Sequence, residues 1–73
     1  MEIPSNFFLQ TLSTREYDCL SLLVDGCTDK EIGKKLEISP RTVEFHIANV
    51  KKKWQTTSRV KLAAKFIEYT QCI

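Results

Sequence analysis

The sequence predicts an all-α domain, a four-helix bundle containing a helix-turn-helix. Three observations carry that expectation. Apolar residues recur at three- and four-residue spacing, without strand-like alternation. Residues that cap helices precede each periodic segment. Only Glu37 and Ile38 separate the second segment from the cap of the third. At 73 residues the chain is one small domain, and a domain of this size buries about 60% of its unfolded surface, too little to wall a large catalytic pocket.

The first helix is expected over 13–25. Ser13 and Glu16 have capping-box spacing, in which the hydroxyl and the carboxylate each accept from a backbone N–H that the first turn leaves free. Cys19, Leu20, Leu23 and Val24 give it an inner face, with Leu12 over its start, and Gly26 follows where a left-handed residue is tolerated. Thr28 and Glu31 repeat the capping box and open a short second helix, 28–36, with Ile32 and Leu36 inward. Gly33 costs about 1 kcal/mol relative to alanine inside a helix, so a neighbouring helix is expected to pass close to it.

Ser39 caps the third helix, 40–54, and Pro40 takes its first position, where the missing N–H costs nothing. Two helices joined by so short a turn cross steeply, which makes a helix-turn-helix. At about 100° per residue, Val43, Ile47, Val50 and Trp54 form a narrow apolar stripe. Arg41, Phe45, Ala48 and Lys52 lie opposite, with Glu44 and Asn49 on the two flanks. Ser58 caps a fourth helix, 58–70, expected to turn Val60, Ala63, Ala64 and Ile67 inward and to leave Leu62, Phe66 and Tyr69 as a second apolar stripe. Residues 1–11 are expected to form an N-terminal arm, whose Ile3, Phe7 and Phe8 could cover that second stripe, and 71–73 a tail.

The net charge of +2 is unevenly spread. Residues 1–29 carry one basic residue against five acidic ones, and residues 30–65 carry ten basic against three acidic. A concentrated basic half on a small domain attracts a polyanion. No apolar run approaches the roughly 20 residues needed to span a bilayer, and MEIPSNFF lacks the form of a signal peptide. Cys19, Cys27 and Cys72 are odd in number and widely spaced, as expected of free thiols in a reducing cytoplasm. Cys19 is expected to be a small core residue, and Cys72 lies near the chain end. No Cys or His pair has metal-ligand spacing, so neither metal nor cofactor is expected.

"LSTRE" at 12–16, "DG" at 25–26, "DKEIGKKLEIS" at 29–39, "RTVEFHIANV" at 41–50 and "SR" at 58–59 together resemble the LuxR-type helix-turn-helix. This is the DNA-binding domain of the LuxR, NarL and FixJ regulators and of the small sporulation regulator GerE. The resemblance runs from Leu12 to Ile67. It implies a bacterial transcription factor, dimeric on an imperfectly two-fold site, with helix three in the major groove of double-stranded DNA. Only 11 residues precede Leu12, as expected of a stand-alone regulator of the GerE kind or of a piece of a longer one.

By the same resemblance, Glu44, Phe45 and Ala48 face the bases, in agreement with the helical angles. Lys30, Thr42, His46 and neighbouring positions, Ser39, Arg41, Asn49, Lys52 and Lys53, meet phosphates. Ser39 and Thr42 could equally be caps, and His46 lies beside the core stripe, where its ring could simply pack. A homodimer contact is expected on helix four, through Leu62, Phe66 and Tyr69.

Glu44 departs from the family, where lysine is common. A carboxylate in the major groove accepts from the N4 amino group of cytosine; the alternative is a pairing with Arg41 one turn earlier. Gln55 and Thr56 replace the usual glycine and apolar residue, and Cys27 a common leucine. The competing function is a protein-docking module for RNA polymerase or another regulator. An enzyme would need a nucleophile with a base, and Cys19 and His46, on different helices, are poor candidates.

Overall fold

A computed structural model describes residues 10–71. It contains α1 (Thr14–Val24), α2 (Asp29–Leu36), α3 (Pro40–Lys53) and α4 (Arg59–Gln71). The described residues form no strand. The expected arm contacts of Ile3, Phe7 and Phe8, and the position of Cys72, lie outside the described residues.

Local chemistry sets each boundary. Ser13 and Thr28 make complete capping boxes with Glu16 and Glu31, and the Ser39 hydroxyl accepts from the Thr42 amide at 3.1 Å. Helix α1 ends at Gly26, φ +93°, whose amide and that of Cys27 return to the Leu23 and Leu22 carbonyls. Helix α3 ends the same way with a side chain in the left-handed position: Gln55 has φ 53°, and the Gln55 and Thr56 amides reach the Lys52 and Lys51 carbonyls. The glycine usual there in the family is thus replaced by a residue held in the conformation that glycine favours.

Gly33 has a different reason from the one expected. A Cβ built there would lie 2.6 Å from the Ile38 carbonyl oxygen. The close neighbour is the turn leading into α3, not a packed helix, and the Ile38 amide donates to the Gly33 carbonyl at 2.9 Å. Glu37, φ 58°, supplies the left-handed residue of that turn. These two positions fix the angle at which α3 leaves α2.

The core joins Cys19 and Leu20 of α1, Ile32 of α2, Val43, Ile47 and Val50 of α3 with Trp54 at its end, and Leu62 and Phe66 of α4. Every residue of the expected α3 stripe is therefore inside, and so is Cys19, whose thiol burial pushes up.

On α4 the expectation is reversed. Leu62 is fully buried and Phe66 6% exposed, whereas Val60 is 79% and Ile67 42% exposed. Both stripes have helical spacing, so periodicity could not choose between them. The stripe with two aromatic rings removes more apolar surface from water: Phe66 packs on Tyr17, ring centroids 5.4 Å apart, and Tyr69 on Trp54 at 5.0 Å. Leu62, Phe66 and Tyr69 belong to this chain's own core and its edge, and cannot form the dimer face expected of them.

Candidate nucleic-acid interface

Helix α3 has one face in the core and the opposite face in solvent. Arg41, Glu44, Phe45, Ala48 and Lys52 are all exposed. Phe45 is 63% exposed, and its ring meets the edge of His46, centroids 5.9 Å apart. An aromatic side chain so placed contributes nothing to the core. Beside it, Ala48, Lys51, Lys52, Gln55, Thr56 and Thr57 line an open cleft of about 490 Å³.

The candidate phosphate residues separate into groups. Lys30 stands exposed in the first turn of α2, near free helix-start N–H groups. Ser39 is engaged as the cap of α3, and the Thr42 hydroxyl is bonded to it, the two hydroxyl oxygens 2.9 Å apart. Asn49 is half-buried on one flank of α3. His46, also half-buried, lies near enough to Glu16 for its charge to act there. Lys52 points outward, as expected.

Lys53 does not. Its ammonium donates to Glu16 Oε1 at 2.5 Å and to the Thr11 carbonyl at 2.8 Å. This ties the end of α3 to the start of α1 and occupies the ammonium that the sequence reading assigned to a phosphate. Burial works against ionisation of Glu16. The hydrogen bonds from Lys53 and the Ser13 amide, with the charges of Lys53 and His46, still hold its carboxyl below the ordinary value.

The expected alternative for Glu44, a pair with Arg41, is not formed. Among the described residues, the two ion pairs are Lys53 with Glu16 and Arg59 with Asp29. The second was not foreseen from the sequence. Arg59 Nη1 and Nη2 donate to Asp29 Oδ1 and Oδ2 at 2.8 Å each. The only signal was an acidic residue opening α2 and the arginine of "SR" opening α4. No group of three potential ligands that could hold a metal ion occurs among the described residues, and no helix there is long and apolar enough to cross a membrane.

A family model described as bacterial regulatory proteins, luxR family, matches residues 10–66. The chain belongs to this family. It is thus a DNA-binding domain of transcriptional regulators, and not an enzyme. The chain is 49% identical over 63 residues to the transcriptional regulatory protein FixJ of Rhizobium meliloti (strain 1021), covering 80% of this chain and 31% of that protein. It is 39% identical over 54 residues to the transcriptional regulatory protein LiaR of Bacillus subtilis (strain 168), covering 74% and 26%. With the transcriptional activator protein LuxR of Aliivibrio fischeri it shares 36% over 67 residues, covering 92% and 27%. The chain thus spans about a third or less of the length of these relatives. No solved structure matches it.

Proposed function

We propose that this luxR-family domain binds double-stranded DNA sequence-specifically in the bacterial cytoplasm, as a two-fold dimer, with α3 in the major groove. The observation that carries the reading is the exposed face of α3, where Phe45 stands uncovered between Glu44 and Ala48. A helix fits the major groove, where a carboxylate accepts from cytosine N4 and an apolar side chain meets the thymine methyl. Glu44 and Phe45 take these two roles, and Ala48 allows close approach. Lys30, Arg41 and Lys52, with Ser39, Thr42, His46 and Asn49, contact phosphates; such contacts orient the domain without reading sequence.

The dimer contact is assigned to the exposed strip of α4, Val60, Ala64 and Ile67, at i, i+4 and i+7. It replaces the stripe that the core consumes. The tests are Glu44→Ala and Glu44→Lys, assayed on duplexes varied at each position. Both variants should lose preference at one position per half-site, while the lysine variant gains affinity for all duplexes. Unchanged base preference in both variants refutes Glu44 as a reader. Weak, sequence-blind binding by the parent chain would instead favour a docking module for RNA polymerase or another regulator.

A further inference from the structure

The outer side of α4 carries charge as well as apolar surface. Lys61 and Glu68, both exposed, run along one flank of the strip formed by Val60, Ala64 and Ile67, about two turns apart. By helical angle the other flank carries Arg59, Ala63 and Thr70. Arg59 is held by Asp29, whereas the side chains of Lys61 and Glu68 enter neither ion pair among the described residues. Two opposite charges thus border an uncovered apolar strip without partners in the described part of the chain.

Their order along the helix is self-complementary in one arrangement only. When a two-fold axis crosses the strip, the two α4 helices run antiparallel, and each flank lies beside the same flank of the other copy in reversed direction. Lys61 of either copy then faces Glu68 of the other. Were the helices parallel, with the axis along them, each flank would lie beside the opposite one. Lys61 would approach Arg59, a like charge, and Glu68 would meet the uncharged Thr70.

We propose that Lys61 and Glu68 orient a second copy of this chain on the α4 strip: two crossed Lys61–Glu68 pairs hold the two α4 helices antiparallel about an axis near Ala64. The inference rests on the reading of the strip as a dimer contact and adds what sets its direction. Burial of Val60, Ala64 and Ile67 favours association without regard to orientation, because the hydrophobic effect is non-directional. The charges supply orientation and register. Three apolar side chains make a small interface, so the dimer is weak in free solution, and its exposed ion pairs make it weaker still in salt.

The test is sedimentation equilibrium of the full chain at low salt and up to about 1 mM protein, where a weak dimer is populated. Lys61→Glu and Glu68→Lys should each raise the dimer dissociation constant about tenfold, since each sets two like-charged pairs in place of two opposite ones. The double variant Lys61→Glu, Glu68→Lys should return to within about threefold of the parent. Lys61→Glu also lowers the net charge of +2, which by bulk charge alone would ease association, so weakening by this variant marks a contact at that position. If a reversed variant melts below the assay temperature, Lys61→Gln and Glu68→Gln take its place, at about threefold each. Ala64→Asp should remove the dimer. Loss of the dimer in Ala64→Asp with no change in either charge variant leaves the strip as the contact and overturns the orientation proposed. A double variant no tighter than the single ones overturns it as well. A parent chain that is monomeric at about 1 mM, or a dimer indifferent to Ala64→Asp, overturns both the α4 contact and the proposal built on it.

Discussion

The Lys53 ammonium, from the last turn of α3, lies 2.5 Å from Glu16 of α1, a carboxylate that is only 5% exposed. One glutamate thereby closes its own capping box and anchors the end of the candidate recognition helix. Adjacent lysines on that helix have separate roles, with Lys52 turned to solvent and Lys53 turned to α1.

Replacing Lys53 with methionine should lower stability by about 1–2 kcal/mol, since it leaves a buried acceptor short of a partner while the lysine itself is partly screened by water. The salt dependence of DNA binding should not change. Lys52→Ala should do the opposite, leaving the melting temperature in place and reducing the slope of log affinity against log salt by about 1. Thermal melts and a salt titration of both variants check this.

Acid should destabilise the fold through carboxyls held below their ordinary values, among them Glu16 and Asp29. Desolvation raises and the Lys53 and Ser13 hydrogen bonds lower Glu16, with a net fall, while the Arg59 bonds hold Asp29 down. Both bind a proton more readily unfolded than folded, so their stabilisation is complete above the ordinary carboxylate value of about 4 and is lost as pH falls through the depressed folded values. Melting temperature measured from about pH 7 to about 2.5 should drop over the acid end, and less steeply in Glu16→Gln and Asp29→Asn.

Gly33→Ala should cost about 1–3 kcal/mol despite alanine's better helix propensity, because the added methyl meets the Ile38 carbonyl oxygen, at 2.6 Å before relaxation. The shift falls on the turn that aims α3. Denaturant melts should show the loss, and DNA affinity should fall further than Lys52→Ala makes it fall.

Gln55→Gly should stabilise. A side chain in the left-handed region costs about 1–2 kcal/mol, and glycine gives back part of the gain through its larger unfolded-state entropy, about 0.5–1 kcal/mol. An increase of a few tenths to about 1 kcal/mol in denaturant melts is expected, and a decrease would show that Gln55 makes a compensating contact.

Most of the frame was legible because it is written locally. Ser13 with Glu16, Thr28 with Glu31, and Ser39 with Pro40 mark helix starts within three or four residues, and the α3 stripe is long and unambiguous. The inner face of α4 was not legible, since Val60, Ala64 and Ile67 have the same spacing as a core stripe and only the fit of Phe66 on Tyr17 and Tyr69 on Trp54 decides. The ion pairs were hidden for another reason. They join residues 37 and 30 apart in the chain, where no local pattern constrains the partner. The exposure of Glu44, Phe45, Ala48 and Lys52 followed from helical angle, while their roles came from the family resemblance; the engagement of Lys53 depended on α1.

The most direct measurement is selection of bound duplexes from a random-sequence pool at about 150 mM salt, where sequence-blind phosphate binding is strongly weakened. The expected result is a two-fold motif with cytosine at one fixed place in each half, lost in Glu44→Ala. Survival of no motif, with binding that vanishes near this salt, would contradict sequence-specific recognition by α3.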